Sequence, residues 1–415
     1  MSFAPAVSVV LVSHGRPAHL ARAVFGVAQL LYTRFEVIVV ADAAGIAAID
    51  ALPFASQIKL VACDTPNISH ARNLGIAQAG GDIIAFIDDD AVPEPTWLAQ
   101  LTAPFENPEV AAAGGFVIGR NGISLQWGAR EVDETGQPHA LALSGDGPQI
   151  ALPSSGRAIR TEGTNCAFRR KILEQLGGFD PNYRFYLDET DLNMRLARAG
   201  FTTAIVPGAL VHHGFAASAR RAADRAPRTL FDIGSSTVVF LRKYARTGQM
   251  AGAVAQLVAQ QRQRVIAHMI AGRIEPGSVK YLMRSLHDGM DHGDARPLAP
   301  LPALKNAGAT FRPFTRSGAT GQNRVLAGRV WQARRLRRHA CALAAQGDIV
   351  TLLLFSPTAL FHRHRFDAAG FWEQSGGLFG RSERHGPLIR VQRFPTRVAH
   401  ETQRIARQRG LDAGA

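Results

Sequence analysis

"AFIDDDAVPEP", Ala85–Pro95, drives an apolar strand straight into three consecutive carboxylates, Asp88, Asp89 and Asp90, and follows them with two prolines. Adjacent like charges raise each other's cost of ionising, so the triplet needs either a nearby cation or full solvation. On an extended strand Asp88 and Asp90 project to one side, roughly 6.6 Å apart at Cα, while Asp89 projects to the other. Pro93 and Pro95 are expected to end strand pairing there and turn the chain away.

The flanking sequence tells which kind of strand this is. "VSVVLVSHGR" (Val7–Arg16) opens with an apolar run of the kind buried on both faces of a parallel sheet, and Pro17 suits a first helical turn. Leu20, Val24, Val27 and Leu31 follow at helical spacing, then the strand-like "FEVIVVAD" (Phe35–Asp42) and "QIKLVAC" (Gln57–Cys63). A helix is expected from near Ser69 to the Gly80-Gly81 pair, feeding the strand that ends in the triplet. Alternation of strand and helix predicts a doubly wound α/β layer whose site lies at the carboxyl ends of its strands. The loop "SHGRPAH" after the first strand offers one glycine rather than GxGxxG, and GxxxxGK[ST] occurs nowhere. A Rossmann oxidoreductase and a P-loop NTPase are both disfavoured.

Beyond the triplet, residues 120–160 are polar and rich in Gly and Pro, with a hairpin expected around Glu134–Gln137. "NCAFRRKILEQLGGFD" (Asn165–Asp180) reads as a short strand, a helix and a turn at Gly177-Gly178. "LDETDLNMRLARAG" (Leu187–Gly200) reads as a helix with acidic residues in its first turn, and "FTTAIVPGALVHHG" (Phe201–Gly214) as a strand or pair of strands. Residues 216 to about 290 read as basic amphipathic helices and Asp294–Phe314 as a linker. Val325–Pro357 reads as one basic helix followed by one buried strand. Three units are expected: residues 1–215, a basic helical extension over 216–295, and a small basic α/β module over 296–415.

Composition bounds the function. At 415 residues with 46 % hydrophobic and 19 % charged content, the chain is an ordinary globular protein rather than a disordered one. It has no apolar run of membrane-spanning length, and "MSFAPAVSVV" lacks a basic leader, so neither a span nor export is expected. Cys63, Cys166 and Cys341 are odd in number and far apart, which argues for reduced thiols in a cytoplasm and against a zinc site. Residues 1–215 hold 15 Lys/Arg against 21 Asp/Glu, net −6, whereas residues 216–415 hold 32 against 12, net +20. The basic half suits either an ordinary solvated surface or an anionic partner.

Two acidic groups then carry the chemistry. Asp88 and Asp90 at the mouth of a sheet can hold one hard divalent cation, with other positions left to water and phosphate oxygens. On a helix Asp188 and Asp191 share a face at i, i+3, with Glu189 turned about 100° away. A carboxylate at such a helix start can act as general base for a hydroxyl, or simply serve the helix end.

In this order and at about this spacing, "VSVVLVSHGR", "FEVIVVAD", "HARNLGIAQAGGDIIAFIDDDAVPEPTWL", "TNCAFRRKILEQLGGFD", "DETDLNMRLARAGF" and "VPGALVHHG" resemble family-2 glycosyltransferases with the GT-A fold. The resemblance covers residues 5 to about 215. It implies that Ser13, Arg16 and Asp42 form the base and ribose pocket of a nucleoside-diphosphate sugar, with Arg72 near its phosphates. Asp88 and Asp90 resemble the DxD pair that holds Mg or Mn, Asp90 directly, and Asp89 a partner of ribose or donor sugar. His212 or His213 resembles the histidine completing the metal site. Glu189 occupies the usual base position with Asp188 beside it, an inversion of the family's "ED" order, and Asp191 opens the following "DL". The implied reaction is an inverting displacement onto a glycan or lipid-linked acceptor; separately, the +20 excess of the C-terminal half would hold such a cytoplasmic protein at the anionic inner face of a membrane. A nucleotidyltransferase would need a glycine-rich basic loop after the first strand. A nucleic-acid-binding protein would suit Phe361, Phe366, Phe371, Trp372 and Phe379 among the arginines, but no nucleic-acid motif accompanies them.

Overall fold

Strands apolar on both sides need cover on both sides, and the computed structural model, which describes residues 4–214, 216–304, 308–315 and 321–411, provides it. Strand and helix alternate through β1 (Val7–Ser13), α1 (Pro17–Val27), β2 (Phe35–Ala41), α2 (Ala43–Asp50), β3 (Ile58–Ala62), α3 (Ile68–Ala77) and β4 (Ile83–Asp88). β5 (Ala91–Pro93), α4 (Trp97–Thr102) and β6 (Val110–Ile118) follow. The polar insertion contributes β7 (Leu125–Trp127), β8 (Arg130–Val132), β9 (Pro138–Ala140), β10 (Gln149–Ala151) and β11 (Ala158–Arg160). β12 (Cys166–Arg169), α5 (Arg170–Gln175), α6 (Asp188–Arg198) and β13 (Thr202–His213) complete the layer. The main sheet runs β10-β13-β6-β12-β4-β1-β2-β3. Its pairs β1–β2, β2–β3, β1–β4 and β6–β13 are parallel, and β12 lies antiparallel between β4 and β6.

Side-chain alternation along β1 builds two cores at once. Val7, Val9 and Leu11 enter one with Leu20, Val24 and Val27 of α1, while Val10 and Val12 enter the other with Ile76 of α3 and Leu192 and Leu196 of α6. The two layers fix β1, β2 and β4 side by side, and therefore fix where their carboxyl ends lie.

Several sequence expectations change in the fold. Pro93 does not end the pairing: Ala91–Pro93 runs antiparallel to β13, with His213 opposite Ala91 and Val211 opposite Pro93. A proline is tolerated at the end of so short a ladder, where the next link is Glu94 N–H donating to the Leu210 carbonyl at 3.0 Å. Phe201–Gly214 gives one strand, β13, with its register shifted between Val206 and Leu210. Residues 216–230 are irregular rather than helical, with Arg225 left-handed at φ 75° and bridges Ser218–Arg221 and Arg221–Pro227. The helices of the extension are α7 (Phe231–Tyr244), α8 (Gln249–Ile270) and α9 (Pro276–Asp294).

The linker is docked where it is described. Leu304 N–H donates to the Glu174 carbonyl at 2.8 Å, and Phe314 is buried against Phe35 and Phe54, while residues 305–307 lie outside the described residues. The C-terminal helix expected from Val325 begins later. Asn323–Arg329 is a strand, β14, and α10 spans Ala333–Ala345, followed by β15 (Ile349–Ser356), β16 (Arg363–Phe366), β17 (Trp372–Gly377) and α11 (Phe394–Arg409). Their sheet runs β14-β15-β17-β16. α10 covers one face through Leu336 and Ala340, and Phe394 and Val398 of α11 lie on the other with Leu353 and Phe355. No helix among the described residues is long and apolar enough to cross a membrane.

Candidate active site

The carboxyl ends of β1, β2 and β4 deliver the site, and one aspartate lashes the first two together. Asp42 caps α2 by accepting from Gly45 N–H at 2.8 Å, and its other oxygen accepts from Gly15 N–H at 2.6 Å. Ser13 Oγ donates to Asp89 at 2.6 Å, and Arg16 Nη2 pairs with the other Asp89 oxygen at 2.5 Å. Asp89 is fully buried; burial pushes it up to about 7 against the pull of Arg16, and the Asp90 charge adds to the rise.

The other two carboxylates of the triplet face a different set of groups. Oxygens of Asp88 and Asp90 and a ring nitrogen of His213 all lie within 4.8 Å of one another. Asp90 Oδ1 lies 3.0 Å from His213 Nε2, and Oδ2 accepts from Ala216 N–H at 2.8 Å. Arg16 and Arg221 each reach Oδ2 at 3.3 Å. Burial alone would raise Asp90, but the hydrogen bond and charge of His213, the Arg16 charge and the Ala216 amide outweigh it and hold Asp90 below the usual carboxylate range. His213 Nδ1 meets Gln126 Oε1 at 3.0 Å, and its ring lies 5.6 Å from that of Trp127. A ring that donates from Nδ1 to Gln126 turns Nε2 toward the Asp90 carboxylate as an acceptor, so a proton or a metal belongs between them. Two carboxylates and one imidazole form a donor set suited to Mg or Mn.

His212, one residue away, points to the opposite side of β13. Its Nε2 meets Glu94 Oε1 at 2.8 Å, and Arg409 of α11 holds the same carboxylate through Nε at 3.1 Å. The His212 ring lies 5.0 Å from Trp372. Strand alternation therefore separates the two histidines, one facing the acidic cluster and one facing the C-terminal module.

The second acidic group is divided in the same way. Tyr186 and Leu187 both adopt left-handed backbone, φ 74° and 65°, immediately before α6, a strained entry that aims its first carboxylate inward. Asp188 is buried and paired with Arg72, which also reaches Asp88 at 3.2 Å and the Gly163 carbonyl at 3.1 Å. Burial pushes Asp188 up to about 7 against Arg72, with the neighbouring Glu189 charge adding to the rise. Glu189 lies at the boundary, its side chain 12 % exposed, with Arg160 Nη2 at 3.5 Å and Thr190 Oγ at 3.2 Å. Asp191 does not join them. It is taken up by Lys243, by Arg195 Nε at 2.8 Å and by Tyr244 Oη at 2.8 Å. Burial would raise Asp191 too, but Arg195 and Lys243 hold it down.

Arg221, Gln126 and Arg160 were not singled out from the sequence. The signal for Arg221 is the Arg220-Arg221 pair just after the two histidines, read there as part of a helix. Arg160 leaves β11 on the far side of the polar insertion, and nothing local ties it to Glu189.

A profile of the family described as "Glycosyltransferase like family 2" matches residues 5–230. The chain is 32 % identical over 124 residues to a glucosyl-dolichyl phosphate glucuronosyltransferase of Haloferax volcanii, covering 29 % of this chain and 37 % of that protein. It is 29 % identical over 240 residues to an O-antigen biosynthesis protein of Myxococcus xanthus, covering 54 % of this chain and 18 % of that protein. The chain thus spans little more than a third of the first relative's length and less than a fifth of the second's. Among solved structures it is similar to a mannosyltransferase from Pyrobaculum calidifontis in complex with GDP-Man and Mn2+, at 17 % identity and a TM-score of 0.45, over 71 % of this chain and 89 % of that one. With the profile extending over more than half of its residues and a mainly parallel, doubly wound sheet beneath it, the chain belongs to the glycosyltransferase-like family 2.

Proposed function

We propose that this chain transfers a sugar from a nucleoside-diphosphate sugar to a hydroxyl of a glycan or lipid-linked saccharide, with inversion at the anomeric carbon. The observation that carries the reading is the convergence of Asp88, Asp90 and His213 at the carboxyl edge of the sheet, with Arg72, Arg16 and Arg221 beside them. Asp88, Asp90 and His213 would hold Mg or Mn, which when bound supplies electrostatic stabilisation of a departing diphosphate. Arg16 and Arg221 flank Asp90, and Arg72 pairs with both Asp88 and Asp188. Ser13 and Asp42 shape the loops that would receive base and ribose.

Glu189 is the general base in this reading. Asp188 is spoken for by Arg72, whereas Glu189 stands at the solvent boundary with weaker partners and can accept an acceptor hydroxyl's proton. The acceptor oxygen then bonds to the anomeric carbon as the bond to the diphosphate oxygen breaks, and no covalent enzyme intermediate is required. The names of the two relatives, one acting on a glucosyl-dolichyl phosphate and one in O-antigen biosynthesis, support an acceptor of lipid-linked or polymeric glycan class. Turnover of a panel of UDP-, GDP- and dTDP-sugars by the purified protein, with and without manganese, tests the proposal. Manganese-dependent release of nucleoside diphosphate from one of them is expected; no release from any, with either Mg or Mn, would sink it.

A further inference from the structure

The small C-terminal sheet has an edge that sugar transfer does not use. β14, β15 and β17 are parallel and in register, Arg329 beside Phe355 and Ser356 beside Gly377, so all three strands end along one line. Every loop leaving that line exposes apolar side chains: Val330 and Trp331 after β14, Leu360 and Phe361 after β15, and Leu388, Ile389 and Val391 after β17. Trp331 is 70 %, Phe361 61 % and Val391 87 % exposed. These seven are more than half of the thirteen large apolar side chains exposed among the described residues, so the edge is a concentrated patch rather than the usual scatter.

The loops are folded back onto the edge. Gly377 N–H donates to the Leu360 carbonyl at 2.8 Å, and Arg390 N–H donates to the Phe379 carbonyl at 2.9 Å. The apolar tips are interleaved with cations. Arg334, Arg335 and Arg338 stand exposed on the first turns of α10, and Arg384 and Arg393 stand exposed on the last loop. Residues 329–338, 357–362 and 378–393 together contain one acidic residue, Glu383. Arg384 also borders a cleft with Leu141 and Leu143 of the polar insertion, so this end of the edge lies beside the α/β layer.

Apolar tips ringed by guanidinium groups match the chemistry of an anionic headgroup layer, where the tips enter the acyl boundary and the arginines meet phosphate. A nucleic acid would reward flat aromatic rings, but five of the seven exposed apolar residues are aliphatic. We propose that this edge docks on a bilayer containing anionic phospholipid and holds the catalytic domain at its surface. The proposal rests on the transferase reading only for its purpose, the delivery of the site to a lipid-linked acceptor.

Co-sedimentation with vesicles of phosphatidylglycerol mixed with phosphatidylcholine, against vesicles of phosphatidylcholine alone, tests it without donor or acceptor. Binding to the mixed vesicles is expected, weakened roughly tenfold or more by high salt or by omitting the anionic lipid. The double variant Trp331→Ser, Phe361→Ser changes only exposed positions and should lose a similar factor while its metal-dependent nucleotide binding stays as in the parent. Equal binding to neutral vesicles, no binding to either, an unaffected double variant, or retention by duplex DNA in preference to the mixed vesicles would each overturn the proposal. Because the readout is sedimentation, a failed sugar-transfer assay leaves the result standing, and a failed sedimentation leaves the transferase reading standing.

Discussion

Three consecutive aspartates end up in three electrostatic situations because each meets a different neighbour. Asp88 keeps partial exposure beside Arg72, Asp89 is buried under Ser13 and Arg16, and Asp90 is clasped by His213, Ala216 N–H, Arg16 and Arg221. The period-2 alternation that separates Asp88 and Asp90 from Asp89 is legible in the sequence, since it needs only that the strand continue to the triplet. The fate of Asp191 is not, because its partners Lys243 and Tyr244 lie some fifty residues further on and belong to another helix. The same division leaves the carboxylates of α6 with different partners, Arg72 for Asp188, Arg160 for Glu189 and Lys243 for Asp191. Glu189→Gln should lower turnover by roughly 100-fold or more with little change in donor KM, the signature of a lost proton acceptor. Steady-state kinetics on the responsive nucleotide sugar check this, and a variant retaining parental turnover would move the base elsewhere.

Among the elements the sequence hid, β5 and α11 place the most consequential buried polar groups. Two prolines argue against a strand at Ala91–Pro93, yet its pairing with β13 is what brings His213 beside Asp90. α11 was not anticipated, and it buries a polar layer against β17. Glu401 accepts from Ser382 Oγ at 2.6 Å and from Gln374 Nε2 at 2.8 Å, and His362 contacts Gln374 and the Gly377 carbonyl. Burial, with the nearby Arg397 charge, lowers His362 from its ordinary 6.5 to about 4. Glu401 is lowered to about 2, because Arg404 and its hydrogen-bond donors outweigh burial. A histidine kept neutral by the fold binds its proton more readily when unfolded, so its stabilisation is complete above pH 6.5 and is lost progressively toward pH 4. Glu401 acts in the same direction further down, between about pH 4.5 and 2. Thermal melts should therefore show the parent losing stability through the His362 window, by a term on the order of 3 kcal/mol. His362→Gln should show a shallower decline there; parallel curves for the two proteins would contradict the assignment.

At the scale of the molecule, the acidic α/β layer and the C-terminal sheet module meet through buried contacts, with Val92 packed against Ile349, Phe366 and Trp372. Arg409 reaches Glu94, His364 N–H donates to the Asn121 carbonyl, and Trp372 lies beside His212. The α/β layer could be read from its apolar runs and intervening helices because burial on both faces writes a continuous pattern into each strand. The docking of the second module could not, because Glu94 and Arg409 are 315 positions apart and the apolar contacts of Val92 with Ile349, Phe366 and Trp372 follow no local periodicity. That docking bears on the site: the strand that presents His213 to Asp90 is held from its other side by His212, Glu94 and Arg409. The central claim is that Asp88, Asp90 and His213 form a divalent-metal site that receives a nucleoside diphosphate. Calorimetric titration of UDP and GDP into the parent and Asp90→Asn, with and without manganese, tests it most directly. Manganese-dependent binding of one nucleotide by the parent is expected, with a loss of roughly 100-fold or more in the variant and its circular dichroism unchanged. Manganese-dependent binding of parental strength in Asp90→Asn would contradict it.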